Sequence, residues 1–101
     1  MVIPAYNAEK TIRECVGSVL DNDYDDFEVI VVEDNSIDRT KKILESITDG
    51  RIKLFFNKTN SGASFSRNEG IKRSLGDVVL LLDSDSYVGE DWIRRHVKLH
   101  E

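Results

Sequence analysis

Residues 27–34 read Phe-Glu-Val-Ile-Val-Val-Glu-Asp, and residues 78–85 read Val-Val-Leu-Leu-Leu-Asp-Ser-Asp. Each stretch is a short apolar run that ends in clustered carboxylates, and segments with helical periodicity lie between the two. Apolar runs of this length are typical of parallel strands that are covered on both faces. Because ligands of such sheets bind beyond the carboxyl ends of the strands, the two acidic clusters predict a metal and nucleotide site.

The composition predicts one small globular domain. The chain has 101 residues, of which 40% are hydrophobic, and a formal net charge of −5 with basic residues interspersed among acids. This balance argues against a general nucleic-acid or anionic-membrane surface, because both need a basic face. No apolar stretch approaches the roughly 20 residues of a membrane span, and the start lacks the regions of a signal peptide. We therefore expect a cytoplasmic location, or one peripheral to the inner face of the membrane for a longer protein.

The chain as a whole shows alternating strand and helix patterns. The predicted elements are a strand over 1–5, a helix over 8–21 with Asn7 as its N-cap, a strand over 27–33, a helix carrying Ile43, Leu44 and Ile47, a strand over 52–56, a helix over 63–75, a strand over 77–82 and a helix over 90–100. The single cysteine, Cys15, falls among the apolar helical positions and predicts a buried structural thiol. Strands and helices that alternate through short crossovers predict an open, mostly parallel α/β sheet with helices on both faces, a Rossmann-like arrangement.

The two acidic clusters differ in how their side chains should point. In the strand that ends at Glu33, alternation places Glu33 and Asp34 on opposite faces. Beyond the last strand, Asp83 and Asp85 point to the same side if the backbone stays extended, which leaves Ser84 opposite. Two carboxylates on one side predict a cation site, and oxygen ligands favour Mg²⁺ or Mn²⁺. Because Mg²⁺ completes its shell with waters and substrate phosphates, the pair would suit a diphosphate.

Four motifs stand at the predicted strand ends and at the start of one helix. They are Val-Ile-Pro-Ala-Tyr-Asn at 2–7, Val-Val-Glu-Asp-Asn-Ser at 31–36 with Asp38 and Thr40, Ser-Arg-Asn-Glu-Gly at 66–70, and Leu-Asp-Ser-Asp at 82–85. In this order and spacing the chain resembles the nucleotide-sugar half of the inverting family 2 glycosyltransferases, which have the GT-A fold. The resemblance covers essentially all of the chain. It implies a single nucleotide-sugar-binding domain over residues 1–101 that is a fragment of a longer enzyme.

The resemblance also implies roles for individual residues. The implied nucleotide-binding residues are Pro4, Tyr6, Asp34, Asn35, Arg67 and Asp83. Tyr6 would stack near the base, and Asp34 would accept a hydrogen bond from a base imide, which fits a UDP-sugar donor. Arg67 would face the sugar or the phosphates of the donor. Asp85 would be the direct metal ligand, with Asp83 near the ribose or the metal.

The chain departs from the family pattern in two respects. Glu33 stands where the family usually has aspartate, which keeps the charge but lengthens the side chain. The acceptor-binding half and the general base of the family lie beyond a point equivalent to Glu101, so no catalytic residue is predicted in this chain. We therefore expect the fragment alone to be inactive. The longer protein would transfer the sugar with inversion to a glycan, lipid or other acceptor.

Simpler interpretations stand beside these roles. Turn or cap functions are the alternative for Asp34, Asn35, Ser36 and Asp38. Arg67 could be held by Asn68 or Glu69 without any ligand. Tyr6 could pack in the core with its hydroxyl in water.

The last predicted helix carries two features that need no ligand. His96 and His100 are four residues apart but lack a third zinc ligand, which favours chance. Trp92, Ile93 and Val97 form a stripe that we expect to pack on the sheet, and an exposed remainder would favour self-association.

Two other classes of protein stay open at this stage. A receiver-like signalling domain also gathers acids and magnesium at strand ends, but it needs a phosphate-accepting aspartate and a lysine beyond a later strand, and the sequence does not predict that later strand. A non-catalytic module that keeps the nucleotide fold is the other alternative, and it would bind a donor without transferring anything.

Overall fold

The computed structural model describes residues 1–100, which fold as alternating strands and helices. Its elements are β1 (Val2–Ala5), α1 (Ile12–Leu20), β2 (Val29–Glu33), α2 (Thr40–Ser46), β3 (Ile52–Phe56), α3 (Ala63–Lys72) and α4 (Trp92–Leu99). Both β1 and β3 pair with β2 in parallel, so the sheet has the order β1-β2-β3. The parallel arrangement brings the carboxyl ends of all three strands to one edge.

Helices cover both faces of this sheet. On one face, β1 and β2 pack on α1, α2 and α4 through a core that includes Ile3, Ile12, Val16, Val31, Leu44 and Ile93. The opposite face has a smaller cluster of Val2, Ile30 and Val32 with Phe55 and Val79. Side chains alternate between these clusters because successive residues of a strand point to opposite faces. The predicted open, mostly parallel α/β sheet with helices on both faces is confirmed.

The helix α3 lies very close to β1 because its buried side carries small residues. Ser66 and Gly70 are its buried residues, and a Cβ at Gly70 would clash with the side chain of Val2. The helix ends at Lys72 rather than at the predicted Leu75, which is 80% exposed. No apolar burial would therefore stabilise a further turn.

The predicted strand over 77–82 is wrong. Leu81 forms only an isolated parallel bridge with Val2. The backbone N–H of Val2 donates to the carbonyl of Leu80 at 2.8 Å, and that of Leu82 donates to the carbonyl of Val2 at 3.1 Å. A strand requires continuous pairing with a neighbour, and these apolar residues meet β1 only at its first residue.

The start of α1 also differs from the prediction. Asn7 is not the N-cap, because its backbone is left-handed (φ 48°) and its side-chain oxygen accepts from the backbone N–H of Ile37 at 3.0 Å. A separate turn at Ala8 follows, and Thr11 occupies the N-cap position of a helix that begins at Ile12. A long-range bond has thus replaced the predicted local cap.

Other boundaries lie close to the predicted ones. β3 coincides with the predicted 52–56, whereas β1 and β2 begin at Val2 and Val29. α2 ends at Ser46, and Ile47 follows it in an extended conformation.

The stripe on α4 packs on the core as predicted. Ile93 is 3% exposed, and Trp92 and Val97 pack partly buried against the larger core cluster, while Leu99 is 82% exposed. His96 Nδ1 lies 2.9 Å from the backbone oxygen of Trp92. Across residues 1–100, no helix has the length and apolar character needed to cross a membrane.

Candidate functional site

The loops at the carboxyl ends of β1 and β2 and the start of α3 enclose a cleft of about 280 Å³. Predicted site residues that line it are Pro4, Tyr6, Asp34, Arg67 and Asp83. A larger cleft, of about 530 Å³, lies near the amino ends of the strands. The smaller cleft is the candidate site, because the predicted residues converge there and ligands of parallel sheets bind at that edge.

Asp34 forms the floor of the cleft and is only 3% exposed. Its Oδ1 accepts from Asn57 Nδ2 and the backbone N–H of Ser61, each at 2.8 Å. Its Oδ2 accepts from Asn60 Nδ2 at 3.2 Å and the backbone N–H of Gly62 at 2.9 Å. A carboxylate has about four lone-pair positions, so the loop before α3 occupies all of them. Asp34 therefore organises that loop as well as lining the cleft.

Hydrogen bonds join the loops that follow β1 and β2. Glu33, which is 2% exposed, accepts from the backbone N–H of Ser36 through Oε1 at 2.8 Å. The Ser36 hydroxyl accepts from the backbone N–H of Asn7 at 2.9 Å, and the Thr40 hydroxyl accepts from that of Ala8 at 2.7 Å. The longer side chain of Glu33 thus reaches a loop amide, and the hydroxyls of Ser36 and Thr40 join the segment after β2 to the segment after β1.

The second acidic cluster lies on a turn rather than on extended backbone. The backbone N–H of Ser86 donates to the carbonyl of Asp83 at 3.0 Å. Asp83 and Asp85 are nevertheless both exposed. The buried Cys15 lies nearby: burial, aided by the Asp85 and Asp83 carboxylates, raises the pKa of its thiol to about 12. Cys15 is thus the buried structural thiol that the sequence predicts.

Arg67 faces the second acidic cluster across the cleft. Its Nη2 lies 3.7 Å from Oδ1 of Asp83, and both side chains are partly exposed. The alternative pairing with Glu69 is not present, since Glu69 lies next to Lys72 and Arg73. Exposed pairs of this kind contribute roughly 0–1 kcal/mol. Arg67 can therefore exchange Asp83 for an anionic ligand at little cost.

The remaining predicted residues occupy different positions. Tyr6 is 47% exposed and lines the cleft together with Pro4. Asn35 has a left-handed backbone (φ 56°) and is exposed outside the cleft lining. Asp85 also lies outside that lining. The structure therefore brings together all the predicted nucleotide-binding residues except Asn35.

The charged side chains of the site would suit a divalent cation that binds together with an anionic ligand. Asp34 and Asp83 line the cleft with Arg67 as the cation opposite them. Within residues 1–100 no group of three or more His, Cys, Asp or Glu could hold a metal ion. Two carboxylates, Asp83 and Asp85, still fit Mg²⁺ or Mn²⁺, because such ions take one or two carboxylates and complete their shell with substrate phosphates and waters.

Sequence reasoning missed three side chains around Asp34. Asn57 bridges Asp34 to the hydroxyl of Ser66, which is fully buried, at 3.0 Å, and Asn60 binds both the carboxylate and the backbone oxygen of Asp34. The available signal was the polar loop at 57–62 that follows β3. Its partner lies more than 20 residues earlier, so spacing alone did not reveal the contact.

Comparisons with known proteins identify the family of the chain. The family described as "Glycosyl transferase family 2" matches residues 1–101. An Escherichia coli protein named UDP-Glc:alpha-D-GlcNAc-diphosphoundecaprenol beta-1,3-glucosyltransferase WfgD is 38% identical over 100 residues, which are 98% of this chain and 38% of that protein. An uncharacterized glycosyltransferase of Haemophilus influenzae is 34% identical over 99 residues, or 96% of this chain and 40% of that protein.

Solved structures show the same fold. S. aureus TarS in complex with UDP-GlcNAc superposes with a TM-score of 0.90 at 35% identity, over 96% of this chain and 29% of that one. The mannosyltransferase PcManGT from Pyrobaculum calidifontis, in complex with GDP-Man and Mn²⁺, superposes with a TM-score of 0.85 at 25% identity, over 96% of this chain and 30% of that one. The chain thus spans two fifths or less of the length of these four proteins. It belongs to the family 2 glycosyltransferases and has their GT-A fold.

Proposed function

We propose that residues 1–101 are the donor-binding domain of a longer glycosyltransferase that takes its sugar from a UDP-sugar with the help of Mn²⁺ or Mg²⁺. The observation that carries this proposal is the cleft that joins Tyr6, Asp34, Arg67 and Asp83 at the carboxyl ends of the strands. The UDP-GlcNAc held by TarS supports a UDP-sugar donor, and the GDP-Man and Mn²⁺ held by PcManGT support a nucleotide sugar and a divalent cation more generally.

The base would bind over Asp34, between Tyr6 and the start of α3. An exposed aromatic ring at a cleft offers a face on which a base can stack. A uracil imide N–H would donate to Asp34 by taking the place of one loop donor. Asn60 is the donor that we expect to move, because its 3.2 Å bond to the carboxylate is the longest of the four and comes from a side chain.

The diphosphate would bind between Arg67 and the second acidic cluster. Asp85 and Asp83 would hold the divalent cation, which when bound neutralises charge on the departing phosphate oxygen. Without a cation, the phosphates would meet two exposed carboxylates with Arg67 as the nearby positive charge. Arg67 would then release Asp83 and contact a phosphate or the donor sugar, since guanidinium groups bind phosphate with paired hydrogen bonds. Asn35 lies outside the cleft lining, so it would support nucleotide binding only through the conformation of the loop after β2.

Transfer itself is proposed for the full protein. A general base must take the proton of the acceptor hydroxyl as that oxygen attacks the sugar carbon on the side opposite the departing nucleoside diphosphate, and this in-line displacement gives inversion. No residue of this chain is assigned that role, so the chain alone would hold a donor without transferring it. The acceptor would be a glycan, a lipid or another hydroxyl compound, and a cytoplasmic location stays a prediction.

Calorimetric titration of the protein with UDP tests the proposal. We expect binding in Mn²⁺, at least tenfold weaker binding with excess chelator, and weaker binding of GDP than of UDP. Equal UDP binding in chelator would contradict the metal role, and equal binding of GDP would contradict the uracil preference. A folded full protein that binds UDP but releases no UDP from any donor would be a bare binding module. The family match over residues 1–101 gives no support to the receiver-like alternative.

A further inference from the structure

The first turn of α1 contacts the backbone of the turn that carries Asp83 and Asp85. The hydroxyl of Thr11 donates to the carbonyl of Ser84 at 3.0 Å. The thiol of Cys15 donates to the carbonyl of Asp83 at 3.5 Å. Thr11 and Cys15 are four residues apart, so both project from the same side of the helix. Two donors on one helix therefore hold two consecutive peptide groups of the acidic turn.

The hydroxyl of Thr11 does not serve the helix that it begins. Thr11 occupies the N-cap position of α1 but makes no side-chain capping bond. A threonine at this position typically stabilises a helix by accepting a hydrogen bond from a backbone N–H of the first turn. Here that local contribution is absent, and the hydroxyl instead contacts a residue 73 positions further along the chain.

The side chains of the acidic turn have little else to fix them. Asp83 has a 69% exposed side chain whose ion pair with Arg67 is 3.7 Å long. Asp85 is exposed as well. The positions of both carboxylates therefore depend on the backbone of the turn. Thr11 and Cys15 hold that backbone through their hydrogen bonds to its carbonyl groups.

We propose that Thr11 is a positioning residue for the cation and diphosphate site, acting through the carbonyl of Ser84 with Cys15 beside it. This inference rests on the proposed function, because it concerns the same two carboxylates. Groups that orient metal ligands from behind typically alter metal affinity by roughly 10- to 100-fold when they are removed. Thr11 touches neither acidic side chain, so its effect must pass through the backbone of the turn.

The test compares Thr11→Val, which has the same shape without the hydroxyl, with Thr11→Ser, which keeps it. In the full protein, UDP affinity is measured with Mn²⁺, and uridine affinity is measured with chelator. We expect Thr11→Val to weaken Mn²⁺-dependent UDP binding about tenfold and to leave uridine binding unchanged. Thr11→Ser should stay within about twofold of the wild type, because it retains the donor. Thr48→Val is the matched control, since Thr48 is exposed on the segment after α2.

The outcomes separate this inference from the proposed function. Absence of Mn²⁺-dependent UDP binding in the wild type would overturn both. Normal wild-type binding with equally tight binding by Thr11→Val would overturn the positioning role alone. A parallel loss of UDP and uridine binding would show a general structural effect and would also overturn it. Thr11→Ala, measured below its melting temperature, provides a second variant without the hydroxyl if Thr11→Val does not fold.

Discussion

The two acidic clusters look alike in sequence but differ in their surroundings. Glu33 and Asp34 are 2% and 3% exposed, and their carboxylates accept hydrogen bonds from neighbouring loops. Asp83 and Asp85 are exposed, and Asp83 has one 3.7 Å ion pair. The number of internal donors therefore separates a cluster that organises loops from one whose oxygens are available to a cation.

The difference follows from the cost of burying charge. A buried carboxylate is stable only when hydrogen bonds replace its lost water, which is the situation of Asp34. The exposed carboxylates keep their water and can exchange it for a metal ion. Mutation of the first cluster should therefore lower stability, with binding also affected at Asp34, whereas mutation of the second should change binding with little effect on stability.

The largest expected effect is that of Asp34→Ala on stability. The change removes the acceptor of four hydrogen bonds at a buried position. A hydrogen bond to a charged group contributes roughly 1.5–3 kcal/mol, and three of the donors belong to exposed residues that can bond to water instead, so we expect a loss of about 3 kcal/mol in the free energy of unfolding. Urea denaturation followed by circular dichroism measures it. Asp77→Ala is the control, because Asp77 is exposed, and equal midpoints for both variants would contradict the structural role of Asp34.

Asp85→Ala should show the opposite pattern. Its side chain is exposed, so we expect its free energy of unfolding to change by less than about 0.5 kcal/mol. Mn²⁺-dependent UDP affinity should fall at least tenfold, which is roughly 1.4 kcal/mol, because phosphates would lose the cation that joins them to the protein. Calorimetry with and without chelator measures the effect. A variant that retains metal-dependent binding would remove the distinction between the clusters.

Glu33→Asp examines why the first cluster begins with the longer acid. Glu33 Oε1 reaches the backbone N–H of Ser36 at 2.8 Å, and a side chain shorter by one methylene would lose this bond. We expect a loss of about 1 kcal/mol in the free energy of unfolding, with Mn²⁺-dependent UDP affinity changed less than twofold. Glu33→Gln keeps the length and an acceptor oxygen and should lose less. A larger effect on binding than on stability would assign Glu33 to the donor site.

Most strands and helices were predictable because the apolar patterns that specify them lie within short stretches of sequence. The run at 27–34 predicts a buried strand from composition alone, and β2 is buried throughout. The strand over 77–82 was not predictable, because similar apolar residues become a strand only where a neighbour pairs with them. The N-cap prediction for Asn7 was wrong for a related reason, since its side chain bonds to the distant Ile37.

The candidate site was predictable in its position but not in its internal bonds. Strand polarity places Asp34 at the carboxyl edge of the sheet, whereas Asp83 lines the same cleft from a turn, without the strand that was predicted before it. Nothing in the spacing shows that Asn57 and Asn60 bond to the Asp34 carboxylate, since such contacts depend on how a loop folds back. The same limit applies to the bond between Thr11 and Ser84.

The smallest expected effect concerns Asp38, a third acid in the loop after β2. Burial alone would raise its pKa, but hydrogen bonds from the Thr40 hydroxyl, the Thr40 N–H and the Glu9 N–H outweigh burial and lower it. Because the folded pKa lies below the unfolded value of about 3.9, this carboxylate stabilises the fold above that pH and loses its contribution as pH falls through the folded pKa. Asp38→Asn cannot accept from Glu9 through its amide nitrogen, so it should melt at a lower temperature than the wild type near neutral pH. The difference should shrink as pH drops below about 4, and melting curves across that range measure it. A difference that stays constant with pH would show that Asp38 acts through shape rather than charge.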